Sequence, residues 1–349
     1  MSPPLPTTRR VFRRTDTHTP SAPTVTLSTE PIPPLTPTSL LLKVHTISLN
    51  YRDANIANGG NPWPVIPHGI PCNDAAGEII AIGDAVKGFK IGERVAPIVD
   101  TKNLTGREKE RSWLAADEDG VLAEYVVFDE SVAVRLPRYL SWEEACLIPC
   151  AGVTAWMGLQ AVGVGKSVLI QGTGGVALFA LHLARASGLK VILSSSSDEK
   201  LSRISAQFPP PLLTVNYKTN PDWHEDVLRL TDGEGVDLVM EVGGSPTLLQ
   251  SMLCTRRGGI VSQVGYLGKQ DPGKFDVDAF LGDLIDRRAV LRGINAGSRQ
   301  DMEDLCAALD ATQMPLRDII DSVEPFERAE EAIEHIWQRR QVGKVVLRV

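Results

Sequence analysis

The stretch Ser167-Val-Leu-Ile-Gln-Gly-Thr-Gly-Gly-Val-Ala177 decides how the middle of this 349-residue chain folds. Its apolar run stops at glycines and passes directly into apolar residues at helical spacing over 176–184. Gly172 permits a tight turn, Gly174 lets a pyrophosphate approach the backbone, and Ala177 allows close helix–strand packing. The N–H groups that start such a helix bind phosphate. The stretch therefore predicts a dinucleotide-binding strand, turn and helix; the alternative is a glycine turn with a purely structural role.

The end of the next predicted strand indicates which dinucleotide is bound. Four serines occupy 194–197, and Lys200 lies one helical turn further along. An NAD-binding unit usually has Asp or Glu here to hold the ribose 2′-hydroxyl, whereas hydroxyls and an ammonium suit a 2′-phosphate. Asp198 and Glu199 argue the other way, although acids also favour the start of a helix. We predict NADP(H) as the cofactor, with a polar serine loop as the alternative.

Composition excludes several classes of protein. The net charge of −7 argues against nucleic acid as a partner. No apolar run is long enough to cross a membrane, and the first 14 residues lack the apolar core of a secretory signal; a transit peptide is the alternative there. The five cysteines include no Cys-x-x-Cys pair and no metal-ligand clustering. We expect a cytoplasmic enzyme with reduced thiols.

The periodicity of apolar residues changes near residue 155. Before it, short alternating segments such as 40–47, 78–82 and 123–128 are typical of a β-rich unit. After it, strands alternate with helices, which predicts a parallel sheet, covered on both faces, with strand order 3-2-1-4-5-6. Its strands are expected at 167–171, 190–194, 213–216, 236–241, 258–264 and 289–294.

The last residues are predicted to return to the β-rich unit, because two helices over 300–309 and 325–339 are followed by a strand at 344–349. We therefore expect three segments: a first part of the catalytic domain, an inserted nucleotide-binding domain, and a return segment that completes the first. Their boundaries are predicted at 1–154, 155–290 and 291–349.

Six segments spread over nearly the whole chain share a recognisable pattern. They are 50–53 (Asn-Tyr-Arg-Asp), 71–78, 92–95, 147–156, 236–244 and 343–347. Together they resemble the medium-chain dehydrogenase/reductase superfamily and, within it, the zinc-free quinone oxidoreductase-like enzymes. The resemblance implies an α/β fold in which a Rossmann doubly wound parallel sheet is inserted in a β-rich GroES-like domain.

The chain departs from the zinc alcohol dehydrogenases of that superfamily at the metal ligands. Those enzymes carry a cysteine where Asn50 stands, a histidine where Asn73 stands and an acid where Asp74 stands; Cys150 keeps a usual ligand type. Zinc prefers thiolate and imidazole, and an amide oxygen is a poor substitute. Segment 101–113, where the resemblance places a four-cysteine lobe, has no cysteine. We expect no bound metal, and we expect Cys150 to be a buried, small apolar residue.

Without a Lewis acid, alcohol oxidation is disfavoured, whereas hydride transfer to a conjugated acceptor spreads the negative charge over an enolate or hydroquinone. We therefore predict an NADPH-dependent oxidoreductase that acts on a quinone or an α,β-unsaturated carbonyl. The alternatives are an alcohol dehydrogenase with unusual ligands and a protein that binds NADPH without turnover, as a sensor or scaffold.

The catalytic candidates are Asn50, Tyr51, Asp53, Asn73 and Thr154. The Asn50 amide could donate to the acceptor carbonyl, and Tyr51 could donate a proton or stack. Asp53 is expected to hold the loop, and Asn73 to face the pocket. Thr154 resembles the family residue that packs on the nicotinamide. Loop-forming or space-filling roles are the alternative for each.

The cofactor candidates follow from the predicted sheet edge and the resemblance. The pyrophosphate is expected at Gly172, Thr173, Gly174, Gly175 and Val176; the 2′-phosphate at Ser195, Ser196 and Lys200; the nicotinamide channel at Gly243, Gly265 and Asn295. Tyr217 resembles a tyrosine that stacks near the adenosine phosphate, with a strand-end aromatic as the alternative. The exposed apolar strand at 289–294 needs covering, and the resemblance implies a homodimer paired along it.

Overall fold

The structure is a computed structural model that describes residues 4–19, 22–208, 210–268 and 275–349. The chain divides into two compact units, one formed by Met1–Val153 with Ala296–Val349 and the other by Thr154–Asn295. The second unit extends beyond residue 290, where the sequence placed its end, because the last strand of its sheet runs to Gly293.

The strands of the described residues are numbered in chain order. They are β1 (Thr8–Arg14), β2 (Val25–Pro31), β3 (Ser39–Ser48), β4 (Asp74–Ile82), β5 (Arg94–Pro97), β6 (Tyr125–Asp129), β7 (Ala133–Arg135), β8 (Ser167–Gln171), β9 (Lys190–Ser195), β10 (Leu213–Asn216), β11 (Val236–Glu241), β12 (Thr255–Gln263), β13 (Val290–Gly293), β14 (Ile320–Pro325) and β15 (Lys344–Arg348).

The α-helices are numbered in the same way. They are α1 (Tyr51–Ala57), α2 (Trp142–Ala145), α3 (Val153–Gly158), α4 (Gly175–Ala186), α5 (Asp198–Ser205), α6 (Trp223–Leu230), α7 (Ser245–Leu253), α8 (Val277–Asp286), α9 (Arg299–Thr312) and α10 (Ala329–Trp337). None of the helices in the described ranges has both the length and the apolar character needed to cross a membrane.

The first unit is built on a sheet of order β14-β15-β3-β4-β5-β7, with β6 also paired to β3. Residues Leu40, Leu42, Val44 and Ile47 of β3 are buried in its apolar core. The carboxyl-terminal strand β15 pairs with β3 in antiparallel register, so the end of the chain completes the sheet begun near its start. The hairpin of β1 and β2 forms a separate small sheet.

A tight turn at Cys72 leads into β4. Cys72 adopts a left-handed conformation with φ of 65°, and Gly120 donates its N–H to the carbonyl of Ile70 at 2.8 Å. Val121 donates to the Cys72 carbonyl at 2.8 Å. These bonds fix the direction in which Asn73 leaves the turn, and they require a residue without a side chain at position 120.

The second unit contains one six-stranded parallel sheet of order β10-β9-β8-β11-β12-β13. This is the predicted order 3-2-1-4-5-6, and the α/β fold class is confirmed. The strands β8, β9 and β11 are buried along nearly their whole length, as expected for the central strands of a parallel sheet covered on both faces. Leu169, Ile192, Val239 and Val261 from four of these strands lie in one buried cluster.

Gly120→Ala should lower the stability of the first unit. A Cβ atom at this position would lie 2.1 Å from the Cys72 carbonyl oxygen, and its other nearest neighbours are also backbone oxygens, which cannot rotate away. We expect the free energy of unfolding to fall by about 1–3 kcal/mol, the usual cost of overpacking. Urea denaturation measures it. Gly163→Ala, where a Cβ meets nothing within 4 Å, is the control; equal losses in the two variants would contradict the steric argument.

Candidate functional site

The glycine turn between β8 and α4 has the geometry of a phosphate cradle. Gly172 adopts a φ of 86° and donates its N–H to the Ser194 carbonyl at 2.8 Å. Gly174 is the N-cap of α4 and provides no side-chain cap, while Gly175 begins the helix. A Cβ at Gly174 would meet no protein atom within 4 Å, so the space beside this backbone is open. A pyrophosphate fits here, because the helix start presents N–H groups and a positive dipole end.

Protein groups already bind the N–H groups at the starts of three other helices of this unit. The Ser197 side chain accepts from the Lys200 N–H at α5, and Asp276 accepts from the Ala279 N–H at α8. The carboxylate of Glu241 takes the N–H groups of the turn that leads into α7. The start of α4 is therefore the better anion site among these helices.

The residues expected at the 2′-phosphate follow the end of β9. Ser195 is 4% exposed and its hydroxyl accepts from the Ser197 N–H at 3.3 Å, whereas Ser196 is exposed. Asp198 accepts from the Asn216 side chain at 2.8 Å and lies in the first turn of α5, as expected of an acid that favours a helix start. Tyr217 is 43% exposed.

The remaining cofactor candidates lie at the same edge of the sheet, because parallel strands share one carboxyl edge. Gly243 follows β11, Gly265 follows β12, and exposed Asn295 lies two residues after β13. The Gly265 N–H points to the Glu241 carbonyl at 3.4 Å. Thr173, 8% exposed, precedes the N-cap of α4, and Val176 lies half-buried in its first turn. The structure thus gathers the predicted cofactor residues at one edge.

In the first unit, four polar side chains, three of them buried and that of Asn50 partly buried, meet at the junction of α1, β4 and β15. The Asn50 amide donates to Asn73 Oδ1 at 2.9 Å and to Asp74 Oδ2 at 3.0 Å. Lys344 Nζ donates to Asn50 Oδ1 at 2.5 Å and to Asp74 Oδ2 at 3.4 Å. Asp74 and Asn73 are fully buried, and Lys344 is 3% exposed. We call Asn50, Asn73, Asp74 and Lys344 the polar cluster.

Burial changes the acidity of the carboxyl groups at this junction. It raises the pKa of Asp74 to about 6, against the opposing effect of the Lys344 ammonium. Burial also raises the pKa of Asp53, which is 1% exposed. Asp53 Oδ2 accepts from the Asn50 N–H at 2.8 Å, so this residue holds the start of α1, as expected.

The other two catalytic candidates are Tyr51 and Thr154. The Tyr51 hydroxyl accepts from Arg339 Nη2 at 3.0 Å, and its ring stacks on Trp337 with centroids 6.1 Å apart. Thr154 is 5% exposed and belongs to α3 in the second unit. The structure therefore unites Asn50, Asp53 and Asn73 but does not place the Tyr51 hydroxyl among them.

Two residues of the polar cluster, Asp74 and Lys344, were not among the sequence candidates. Asp74 was noted only for its alignment with an acid of the zinc enzymes. Lys344 directly precedes the apolar run Val345 to Leu347. A lysine at the start of a buried strand is the sequence feature that indicates a buried, paired ammonium here. Its position beside Asn50 depends on the pairing of β15 with β3.

Comparisons with known proteins agree with this architecture. Residues 36–138 match the alcohol dehydrogenase GroES-like domain, and residues 175–311 match the zinc-binding dehydrogenase family. A zinc-type alcohol dehydrogenase-like protein of Schizosaccharomyces pombe is 37% identical over 323 residues, which cover 90% of this chain and 92% of the relative. The chain belongs to the medium-chain dehydrogenase/reductase superfamily.

Relatives of this medium-chain dehydrogenase/reductase differ in their substrates. A quinone oxidoreductase of Sus scrofa is 29% identical over 319 residues, covering 88% of both chains. An acryloyl-coenzyme A reductase of Sulfurisphaera tokodaii is 27% identical over 326 residues, covering 88% of this chain and 92% of the relative. A solved structure of a candidate alcohol dehydrogenase from Sinorhizobium meliloti 1021 has a TM-score of 0.86 and 32% identity, covering 99% of this chain and 100% of that one. The protein is an oxidoreductase of this superfamily.

Zinc is part of the name of one matching family, but the polar cluster of this medium-chain dehydrogenase/reductase does not suit zinc. It offers two amides, which are poor zinc ligands, and one carboxylate. The Lys344 ammonium lies 3.4 Å from that carboxylate and would repel a second cation. Burial raises the pKa of the nearby Cys150 thiol to about 12. Among the described residues, no group of three or more His, Cys, Asp or Glu is arranged to hold a metal ion.

Asp74→Asn should change how stability depends on pH. In the folded protein Asp74 keeps its proton up to about pH 6, whereas an unfolded carboxyl loses it near 3.8. Between these values the folded state binds more protons, so a rise in pH favours unfolding. The stability that Asp74 contributes is complete below 3.8 and is lost as pH rises through about 6.

The measurement is urea denaturation of both proteins from about pH 4 to about pH 7. Wild-type stability should fall relative to the variant across this window. A stability difference that stays constant with pH would rule out titration of Asp74 there.

Proposed function

We propose that this protein is a zinc-independent, NADPH-dependent oxidoreductase that transfers a hydride to a quinone or an α,β-unsaturated carbonyl. The polar cluster is the observation that carries this proposal, because it puts amides and an ammonium where the zinc enzymes of the superfamily carry metal ligands. The names of the quinone oxidoreductase and acryloyl-coenzyme A reductase relatives support the same class of acceptor.

The choice of NADP(H) over NAD(H) rests on the chemistry at the end of β9. No carboxylate occupies 194–197, where an NAD-binding unit would hold the ribose diol. Asp198 is engaged by Asn216, so its carboxylate is directed to the neighbouring strand. The exposed Ser196 hydroxyl and the Lys200 ammonium supply the donors that a 2′-phosphate needs.

In the proposed reaction the residues of the chain bind and orient the coenzyme and stabilise the negative charge that develops on the acceptor. The N–H groups at Gly174 and Gly175 would hold the pyrophosphate of the coenzyme, whose nicotinamide would supply a hydride, that is, two electrons and one proton. The second proton would come from water, because the Tyr51 hydroxyl is directed to Arg339. Lys344 and the Asn73 amide, whose Nδ2 has no partner within the described residues, would favour negative charge on an oxygen bound beside the polar cluster.

The arrangement of Asn50 changes one part of the expected mechanism. Both hydrogens of its amide already have protein acceptors, so it could donate to an acceptor carbonyl only by losing one of those bonds. We therefore assign Asn50 to holding Asn73 and Asp74 in place. Lys344 and the Asn73 amide provide the electrostatic stabilisation instead. A conjugated acceptor suits these two groups because the negative charge that develops on it is delocalised.

An acceptor screen tests the reaction. Oxidation of NADPH and NADH is followed at constant protein concentration with quinones, enones and no acceptor, with and without a metal chelator. We expect turnover with NADPH and a conjugated acceptor that the chelator leaves unchanged. Alcohol oxidation together with one zinc per purified chain would overturn the proposal, and binding of NADPH without turnover of any acceptor would favour a sensor.

Lys200→Ala tests the coenzyme preference. Loss of a charge-assisted bond to the 2′-phosphate should raise KM for NADPH about tenfold and leave KM for NADH unchanged. Lys190→Ala is the matched control, because Lys190 is exposed at the opposite end of β9. An unchanged KM for NADPH in the Lys200 variant, or tighter binding of NADH than NADPH by the wild type, would refute the 2′-phosphate assignment.

We also propose a homodimer paired along β13. This edge strand exposes Val290 and Leu291 at 50% and 39%, and exposed apolar edges invite pairing with another chain. Leu291→Lys should convert a dimer to a 37.9 kDa monomer in light scattering. Leu213→Lys, on the opposite edge strand β10, should leave the dimer intact. A wild-type monomer, or dissociation by the β10 change instead, would disprove pairing along β13.

A further inference from the structure

Among the described residues of the second unit, Glu241 has the most heavily hydrogen-bonded carboxylate; it is the last residue of β11 and is fully buried. Its donors are neutral side chains and backbone N–H groups. Oε1 accepts from Gly243 N at 2.7 Å, Gly244 N at 3.0 Å and Thr247 Oγ1 at 2.6 Å, and Oε2 accepts from Gln171 Nε2 at 2.8 Å and from the Ser251 hydroxyl. A buried charge is tolerated only where such donors surround it.

These bonds connect three turns at the carboxyl edge of the parallel sheet. Gln171 ends β8, directly before Gly172, and its Oε1 accepts from the Val242 N–H at 3.0 Å. The Glu241 carboxylate holds the turn after β11. The Glu241 carbonyl accepts from the Val264 N–H at 2.8 Å, so the same residue also holds the start of the loop after β12.

Backbone pairing extends this arrangement along the loop after β12. Leu267 donates to the Val242 carbonyl at 2.9 Å, and Gly268 donates to the Gly243 carbonyl at 2.8 Å. The position of residues 264–268 therefore depends on the conformation of 242–244, which in turn depends on Glu241. Two of the residues expected near the nicotinamide, Gly243 and Gly265, lie in these segments.

We propose that Glu241 is a positioning residue that, tied to the end of β8 through Gln171, holds the turns after β11 and β12 in the form that receives the nicotinamide half of the coenzyme. The inference rests on the proposed binding of NADP(H). In this role Glu241 neither contacts the coenzyme nor takes part in the reaction.

A glutamine cannot take over this role, although it has the same size. All five groups around the carboxylate donate hydrogen bonds to it. In a glutamine, an NH2 group that donates would replace one of the two oxygens that accept. If that side faced Gly243 and Gly244, their N–H groups would lose an acceptor. If it faced Gln171, the Gln171 amide would have to turn over, and the Val242 N–H would then lose its partner.

The experiment compares two ligands on two variants. Glu241→Gln is the test, and Asp237→Asn is the matched control, because Asp237 lies on the same strand and is 9% exposed. Asp237 accepts from Ser167 and Arg256 at the opposite end of β11. Dissociation constants are measured calorimetrically for NADPH and for adenosine 2′,5′-bisphosphate, which carries the 2′-phosphate but no nicotinamide. The melting temperature of each variant is recorded alongside.

We expect Glu241→Gln to weaken NADPH binding about tenfold, as for one unsatisfied buried donor, and to leave adenosine 2′,5′-bisphosphate binding unchanged. Asp237→Asn should lower the melting temperature without changing either dissociation constant. Equal weakening of both ligands by Glu241→Gln would mean a general loss of structure, and no weakening would mean no positioning; either result overturns the inference. Failure of the wild type to bind NADPH would instead overturn the proposed function on which it rests.

Discussion

The burial of charge next to backbone turns is the constraint on which both candidate sites depend. Glu241 and Asp74 are fully buried carboxylates, each beside a turn that carries predicted functional residues. A buried carboxylate must be surrounded by donors, because leaving water without replacement hydrogen bonds costs several kcal/mol. The donors reach the carboxylate only when the neighbouring turn adopts one conformation. The cost of burying an unpaired carboxylate therefore restricts the backbone of that turn.

The two carboxylates meet this requirement in different ways. Glu241 is surrounded by five neutral donors, and an ionised carboxylate satisfies all of them. Asp74 has Asn50 and Lys344 on one oxygen, while its other oxygen is buried without a partner within the described residues. This difference explains why burial raises the pKa of Asp74 to about 6 despite the nearby ammonium.

Much of the second unit could be predicted from sequence because its information is local. The central strands are apolar runs bounded by turn residues, the right-handed crossover rule orders the strands, and the glycines of 172–175 mark the predicted phosphate turn. The residues after each parallel strand must then share one edge. The network of Gln171, Glu241 and Ser251 could not be derived in this way, because it joins side chains that are 70 and 80 residues apart.

The polar cluster of the first unit was harder to predict because its partners come from distant segments. Asn50 and Asn73 were recognised from short motifs, but Lys344 joins them only through antiparallel pairing of the last strand with β3. Tyr51 shows the opposite case. Its position beside Asn50 in sequence suggested a shared site, yet the first turn of α1 directs its hydroxyl to Arg339. Neighbours in a helix point in different directions, so adjacency in sequence carries little information about a shared pocket.

The need to pair polar groups also explains why the start of α4, and not that of α5, α7 or α8, is the candidate anion site. A helix start that has a protein carboxylate or hydroxyl nearby is already satisfied, as at α5, α7 and α8. At α4 a serine or aspartate at the N-cap would stabilise the free protein by roughly a few tenths of a kcal/mol relative to glycine, but it would occupy the space that a phosphate needs. Gly174 forgoes that stabilisation and leaves the N–H groups to a ligand. The absence of a side chain at Gly174 therefore keeps the start of α4 open to an anion, whereas Glu241 already accepts from the N–H groups of the turn that leads into α7.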